Sequence, residues 1–378
     1  MTGSAKKRID SLQALRAFAF LGIFFIHSDF FIQWSSLGVS VFFVLSGFLM
    51  AHRYGDDDLD TSVKGNLLFS IERIKKLYPL HIITMIVMII PAVEIIIRNG
   101  SQLRSYAALL VKLVLNVLLV EIWVPNYNIY FSLNSSAWFL AAMMFLYFLF
   151  PWIKKCLAKL SLIKLNILCL VILAAETAAC MVFILVLGEE HQLYSWFMYY
   201  LPAFRIGEFV VGCALGRMIR DGKISGVGTV GMTVYEAVAL VLTIVLYRWY
   251  RTEHSRLIVR SYCNWTTFFI PISAVWVLLF ATNKGWLTKI LTNRLTVFIG
   301  NISGYAYLIH YVLTKIVKMK LTDNDIVLDL KERIVLVIVE FAVTIALSVL
   351  YGRVNERIAV RSKKKSGING AGELTEIQ

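Results

Sequence analysis

Charged residues are scarce in this chain. They make up 16% of its 378 residues, whereas soluble domains average about 25%. Hydrophobic residues reach 58%, and the mean hydropathy is +0.71. This shortage of charge excludes an ordinary water-soluble protein, and the long apolar runs predict a single polytopic membrane unit instead.

Cysteine is also rare, and the spacing of the cysteines matches no known disulfide or metal-binding pattern. The five cysteines lie inside or beside apolar runs, with no Cys-x-x-Cys pair and no cysteine–histidine pairing at zinc spacing. Neither a disulfide framework nor a metal site is therefore expected. The sequence also contains no internal repeat, no low-complexity linker and no additional soluble domain.

Eleven apolar segments are candidates for membrane spans. They lie near residues 12–32, 37–52, 77–97, 106–124, 136–153, 165–187, 197–217, 231–249, 263–283, 297–317 and 333–352. The segment 106–124 contains Lys112, Asn116 and Glu121, each costly at bilayer depth, so it is predicted to be a re-entrant or interfacial helix. The predicted fold is therefore all-α: a polytopic membrane helical bundle of about ten transmembrane helices plus this extra helix.

The positive charge of the chain is predicted to report membrane orientation. The net charge of +14 comes mainly from the tails and from alternate loops, as the positive-inside rule requires of cytoplasmic segments. Both termini of a multi-pass cell-membrane protein are thus expected to be cytoplasmic, and no nucleic acid is needed as a partner.

Residues 1–355 form the expected membrane domain, and residues 356–378 form a basic, disordered cytoplasmic tail. The predicted outer loop 250–262 carries three arginines, which either weaken the topology locally or mark a surface for an anionic acceptor.

The first span holds two ionisable side chains on one face. Arg16 lies near its expected cytoplasmic end and His27 lies eleven positions further on, which is within about 20° of three whole turns and about 16 Å along the axis. That distance is close to the reach of a phosphopantetheine arm. Arg16 is therefore placed to bind a phosphate, and His27 to accept a proton from an attacking hydroxyl. The alternatives are an arginine that snorkels to the headgroups and a histidine hydrogen-bonded in the core.

Two further motifs follow in the second span and the loop after it. Gly38–Leu49 contains Ser46 and Gly47, a pair that by itself indicates close packing between helices. The following loop reads Arg-Ile-Lys-Lys-Leu-Tyr-Pro from Arg73 and includes Lys76. By itself it is a positive-inside loop.

Three more motifs lie in later spans. Trp138 opens an apolar segment that ends in Tyr-x-x-x-Pro. Arg205 and Glu208 are three positions apart, so the pair shares a helical face and partly neutralises itself, which favours a structural clamp over substrate contact. Tyr307 and His310 lie in the penultimate span, where a histidine is either a satisfied core residue or a second polar contributor to a cavity formed with the first span.

Taken in order, these motifs resemble the membrane acyltransferase-3 family, which includes O-acetyltransferases that modify cell-surface polysaccharides. The resemblance extends from about residue 8 to about residue 350. Lys76 stands where the family pattern Arg-x-x-Arg has its second arginine, and Met143 and Met144 stand where many members carry paired glutamates. No acid is therefore assigned to that last segment.

The resemblance implies transfer of an acyl group, usually acetyl from acetyl-CoA, to a hydroxyl of a glycan, peptidoglycan or lipid-linked sugar. It implies a protein in the lipid bilayer with an acyl-CoA donor and no bound cofactor. The implied catalytic residues are His27, Arg16 and His310, the donor-binding residues are Arg73, Lys76, Ser46 and Gly47, and the supporting residues are Trp138, Arg205, Glu208 and Tyr307. His27 would be the base or a transient acyl carrier, and the basic side chains, Arg16 included, would contact the CoA phosphates. One continuous polar cavity is expected to contain His27 and to open toward Arg73 and Lys76.

Two other classes of protein stay open on the sequence. A transporter or export component for surface polysaccharide would also have about ten spans. Transporters, however, tend to show inverted repeats and helices broken near the midplane, and neither is evident in the sequence. A non-catalytic membrane scaffold would leave His27 and His310 on opposite sides of the bundle with no cavity between them.

Overall fold

The computed structural model describes residues 9–29, 35–188, 191–222, 226–251 and 266–365, and within these ranges the chain is helical and has no strand. The α-helices are α1 Asp10–His27, α2 Ser35–Tyr54, α3 Val63–Ile74, α4 Tyr78–Arg98, α5 Leu103–Val117, α6 Tyr127–Tyr130, α7 Trp138–Ala158, α8 Leu162–Leu187, α9 Ile206–Arg220, α10 Thr229–Arg251, α11 Thr266–Thr282, α12 Trp286–Leu291, α13 Arg294–Asp323 and α14 Leu330–Lys365. Short 3₁₀ turns lie at Glu121–Trp123, Ser135–Ala137 and Pro202–Arg205, and a π turn lies at Trp196–Tyr200.

Six helices of the described residues are long and apolar enough to cross a membrane. They are Ser35–Tyr54, Tyr78–Arg98, Ser135–Ala158, Leu162–Leu187, Thr229–Arg248 and Leu330–Ile358. The prediction of an all-α, polytopic membrane protein is thereby confirmed. The other expected spans correspond to helices that are shorter or more polar, such as α1 and α11, so the number of ten stays a prediction.

The segment 106–124 forms a short peripheral element. Its helix α5 has 15 residues and is therefore about 22 Å long, less than the roughly 30 Å of hydrocarbon that a span must cross. Only Leu109 and Asn116 are buried on this helix, and the buried Asn116 amide donates to the Ser132 hydroxyl at 2.9 Å. Lys112 and Asn116 thus belong to a helix that is too short to be a span, and Glu121 lies in the 3₁₀ turn that follows it.

The expected span 197–217 is broken in two, and the structure corrects the prediction here. The π turn Trp196–Tyr200 is followed by a 3₁₀ turn that begins at Pro202, and the regular helix α9 starts only at Ile206. Proline has no backbone N–H to donate and fixes its φ angle, so it ends one helical segment and opens the next. Arg205 therefore lies at the junction rather than inside a continuous helix.

Helices α2 and α9 pack closely through glycine, and Gly47 is one of the glycines at this contact. A Cβ atom on Gly47 would lie 2.0 Å from the carbonyl oxygen of Phe209, and one on Gly212 would lie 1.9 Å from that of Val44. Such contacts allow two helix backbones to approach each other in a membrane protein. Gly47 therefore has a packing role, as the Ser46–Gly47 pair by itself indicated, and its donor-binding role stays a prediction.

The C-terminal helix α14 extends through Lys365. Residues 356–365 of the predicted disordered tail are thus helical. Residues 366–378, the basic residues Lys6–Arg8 and most of the predicted outer loop 250–262 lie outside the described residues.

Candidate active site

The two histidines singled out in separate spans are in direct contact. Nδ1 of His27, at the end of α1, lies 2.9 Å from Nε2 of His310 in α13. Nδ1 of His310 lies 3.0 Å from the carbonyl oxygen of Ala306, one turn earlier in the same helix. The side chain of His310 is fully buried. This contact contradicts the expectation for a non-catalytic scaffold, in which the two histidines would lie on opposite sides of the bundle.

The chain of hydrogen bonds fixes the tautomer of each ring when both are neutral. A carbonyl oxygen only accepts, so Nδ1 of His310 must carry the hydrogen and its Nε2 must be an acceptor. Nδ1 of His27 then donates to His310, which leaves Nε2 of His27 without a hydrogen. His310 thus orients His27 and leaves it one nitrogen that accepts a proton.

His27 lines a cavity of about 300 Å³, called here the His27 cavity. Its wall is rich in aromatic side chains, namely Phe131, Trp138, Tyr199, Tyr200, Tyr247, Phe269, Tyr307 and Tyr311. Within the described part of the chain, no Asp, Glu, Lys or Arg lines it. A cavity of this kind suits an uncharged ligand with apolar faces and hydroxyl groups.

A second, smaller cavity lies at the other end of α1. It has a volume of about 140 Å³ and is lined by Arg16, Arg73, Ser46, Tyr147 and Tyr307, among others. We call it the Arg16 cavity. Its two guanidinium groups are suited to bind phosphate through charge-assisted hydrogen bonds.

The predicted donor-binding residues divide between this cavity and its surroundings. The guanidinium of Arg73 lies over the rings of Tyr54 and Phe69, at 4.8 and 5.3 Å from their centroids, and its Nη1 also donates to the Tyr54 hydroxyl. Ser46 lines the cavity, while its hydroxyl donates to the carbonyl of Phe42 at 2.7 Å. Lys76 lies outside the cavity wall, with its Nζ 5.5 Å from the centroid of the Tyr305 ring.

The expectation of one continuous cavity is wrong. His27 and Arg73 line two separate cavities, and among the described residues Tyr307 alone lines both. The ring of Tyr307 packs against Phe139 and Phe42, with centroids 5.3 and 6.4 Å apart. Spacing along one helix revealed the alignment of Arg16 with His27, but it could not reveal the aromatic rings that other helices place between the cavities.

Arg205 and Glu208 form a buried ion pair behind the wall of the His27 cavity. Their side chains are 1% and 0% exposed, and Nη1 of Arg205 lies 3.1 Å from the Glu208 carboxylate. Nε and Nη2 of Arg205 also donate to the carbonyl of Tyr199 at 2.9 and 2.6 Å. The guanidinium stacks over the rings of Tyr199 and Trp138, 4.4 and 5.3 Å from the centroids. The pair therefore acts on the cavity by holding its aromatic wall, which agrees with the predicted clamp.

A polar cluster beside the histidine pair was missed in the sequence. The amide of Asn134 donates to the hydroxyl of Thr84 at 2.9 Å and to the carbonyl of Leu308 at 3.1 Å. The Ser136 hydroxyl lies 2.8 Å from the Asn134 side-chain oxygen and 3.2 Å from the carbonyl of Tyr307. These bonds fix the part of α13 that carries Tyr307 and His310. The run Asn-Ser-Ser directly before the tryptophan-led apolar helix was the available signal.

Glu176 is a second residue that the sequence interpretation passed over. It lies in the middle of the apolar helix α8, and its carboxylate accepts a hydrogen bond from the backbone N–H of Gly207 at 3.0 Å. It thereby stabilises the junction that carries Arg205. An acidic residue inside an otherwise apolar span was a signal in itself.

Comparison with known proteins agrees with this architecture. A family model described as an acyltransferase domain matches residues 9–353, nearly the whole chain. The chain belongs to this acyltransferase family. It is 29% identical over 272 residues to the acyltransferase MdmB of Streptomyces mycarofaciens, a match that covers 63% of this chain and 65% of that relative. No solved structure matches the chain significantly. The membership confirms the resemblance that the sequence motifs indicated.

Proposed function

We propose that this protein is a membrane-bound acyltransferase that moves an acetyl group from acetyl-CoA to a hydroxyl of a cell-surface or lipid-linked carbohydrate. Membership of the acyltransferase family supports acyl transfer. The observation that carries the proposal is the hydrogen-bonded pair of His27 and His310, one member of which lines a neutral cavity while a cavity with two arginines lies at the opposite end of α1.

The histidine pair supplies the base for the transfer. The acceptor's hydroxyl oxygen attacks the thioester carbonyl carbon while its proton passes to Nε2 of His27. The carbon–sulfur bond then breaks, and the CoA sulfur takes up that proton, so that an ester and a free thiol leave. In the alternative route, Nε2 of His27 itself attacks the thioester and carries the acyl group as a transient acyl-histidine. Both routes, direct transfer and transfer through acyl-histidine, therefore depend on the hydrogen bond by which His310 holds His27.

The donor and the acceptor are assigned to different cavities by charge. The phosphates of CoA carry negative charge, which favours the end of the bundle where Arg16 and Arg73 lie. The basic N-terminal and C-terminal tails are assigned to the cytoplasmic side, where acyl-CoA is made. The acceptor is assigned to the His27 cavity, whose tyrosines and Trp138 offer apolar faces for a sugar ring together with hydroxyl groups for hydrogen bonds.

Acetyl transfer by the purified full-length protein in nanodiscs tests this function. Wild-type protein is expected to release free CoA from acetyl-CoA and to label an added carbohydrate acceptor. His27→Gln is expected to lower kcat by about 10²- to 10⁴-fold, the usual contribution of a general base. His191→Gln is the control, because this histidine lines neither cavity, and it is expected to keep full activity. Wild-type rates in His27→Gln would contradict the proposed role of His27.

A further inference from the structure

A single layer of aromatic rings separates the two cavities. Tyr307 lines both of them, and Phe42 and Phe139 line the Arg16 cavity just beneath it. The three rings are in mutual contact, and the centroids of Phe42 and Phe139 are 5.9 Å apart. We call Phe42, Phe139 and Tyr307 the aromatic partition.

The order of residues along two helices shows that the aromatic partition is thin. On α2, Val39 lines the His27 cavity and Leu45 the Arg16 cavity, with Phe42 between them. At 1.5 Å per residue, Val39 and Leu45 are about 9 Å apart along the axis. On α13, Tyr311 lines the His27 cavity and Gly304 lines the Arg16 cavity, with Tyr307 between them. One layer of side chains therefore closes a path that would otherwise be continuous.

We propose that the aromatic partition is the passage through which the acyl end of the donor reaches His27, and that its rings restrict the reaction to short acyl chains. This inference rests on the proposed function, since it takes acyl-CoA as the donor. Beyond the proposed function, the inference names the residues that select among acyl-CoA thioesters by the length of the acyl chain.

The sizes of the cavities support this path. Pockets for whole drug-sized ligands measure about 300–1,000 Å³, so the Arg16 cavity, at about 140 Å³, fits a linear arm better than a nucleotide. A donor that enters from this end brings its acyl group first. The acyl group must then pass the aromatic partition before the thioester carbon comes near Nε2 of His27.

The backbone beside the aromatic partition is fixed, so passage depends on side chains. The carbonyls of Tyr307 and Leu308 receive hydrogen bonds from Ser136 and Asn134, which hold this turn of α13 against the segment before α7. Opening the path therefore requires the rings of Tyr307 and Phe139 to turn aside. A longer chain requires a wider or longer-lived opening, and it also occupies more of the His27 cavity.

The use of acyl-CoA thioesters of increasing length tests the restriction. Wild-type protein is expected to use acetyl-CoA far better than octanoyl-CoA. Tyr307→Ala and Phe139→Ala are expected to raise the octanoyl-to-acetyl ratio of kcat/KM by about tenfold or more, since even one methylene changes pocket discrimination by about 10- to 200-fold. Tyr307→Phe keeps the ring and is expected to keep the wild-type ratio. Phe183→Ala, which removes a buried ring of α8 that lines neither cavity, is the control for loss of an aromatic side chain.

The results separate this inference from the proposed function. Turnover with an unchanged length ratio in both alanine variants would overturn the restriction by the aromatic partition and leave the function intact. Absence of CoA release from every thioester by the wild-type protein would overturn the proposed function and the length restriction together.

Thiol labelling tests the closure itself without any turnover. Ser36→Cys reports on the His27 cavity and Ser46→Cys on the Arg16 cavity, each made in full-length protein whose five native cysteines are replaced by serine. In vesicles of known orientation, each cysteine is expected to react with an impermeant thiol reagent from one side only, the two from opposite sides. Adding Tyr307→Ala is expected to let Ser36→Cys react from the Arg16 side as well. Reaction of both cysteines from both sides with the rings intact would overturn the closure.

Discussion

The His27 cavity and the Arg16 cavity lie toward opposite ends of α1 and α2 and against neighbouring turns of α13, and they differ in size and charge. The first, about 300 Å³, brings together an imidazole and several tyrosines, and the described residues add no charged side chain to its wall. The second, about 140 Å³, is lined by two arginines. Under the proposed function, the bundle separates binding of a charged donor at one cavity from the chemistry at the other, and α1 contributes Arg16 to the first and His27 to the second.

After His27 itself, the largest effect is expected at His310, the residue that orients His27. His310→Gln breaks the chain from the Ala306 carbonyl to His27, and a broken buried hydrogen bond costs about 1–3 kcal/mol. The kcat for acetyl transfer is therefore expected to fall by roughly 5- to 150-fold, while the KM for acetyl-CoA stays unchanged. Steady-state kinetics over a range of pH checks this, because a misoriented His27 also alters the pH profile. An increase in KM alone would show that His310 serves the donor.

A similar change in the Arg16 cavity is expected to have the opposite kinetic signature. Arg16→Gln removes a charge-assisted contact worth about 1.5–3 kcal/mol, so the KM for acetyl-CoA is expected to rise by roughly tenfold or more with little change in kcat. Acetyl-pantetheine, which has no phosphate, provides the comparison. The effect of the substitution is expected to disappear with this donor. An equal loss with both donors would mean that Arg16 acts on the chemistry itself.

The smallest effect is expected from the polar cluster that fixes α13. Asn134→Ala removes the hydrogen bonds to Thr84 and to the Leu308 carbonyl, each with a net worth of about 0.5–1.5 kcal/mol. We expect kcat to fall by several-fold and the thermal midpoint to fall slightly. Asn128→Ala is the matched control, because Asn128 lies on the same segment and is exposed. Equal effects of the two substitutions on kcat would contradict the proposed positioning role of Asn134.

Features set by a single helix could be predicted from the sequence. The shared face of Arg16 and His27 follows from helical geometry alone, and the self-neutralising pair of Arg205 and Glu208 follows from their spacing. The family membership rested on such local motifs, and it is confirmed. The weak segment 106–124 could likewise be recognised, because its polar residues are incompatible with a span.

Features set by packing between helices could not be predicted. The contact of His27 with His310 joins residues far apart in the chain, and the aromatic partition depends on how α2, α7 and α13 face one another. The Ser46–Gly47 pair by itself indicated packing between helices, but the partner that it packs against, Phe209 on α9, could be identified only in the structure. The break before α9 is different, because Pro202 was visible in the sequence and should have ended the predicted span.

The separation of donor binding from chemistry is tested most directly by single-turnover acetyl transfer in the His27→Gln protein at saturating acetyl-CoA. The substitution leaves Arg16 and Arg73 in place. We predict that acetyl-CoA binds to this variant with the wild-type Kd while transfer to the acceptor is lost. Transfer at the wild-type rate, or loss of acetyl-CoA binding together with transfer, would contradict the assignment of the two functions to the two cavities.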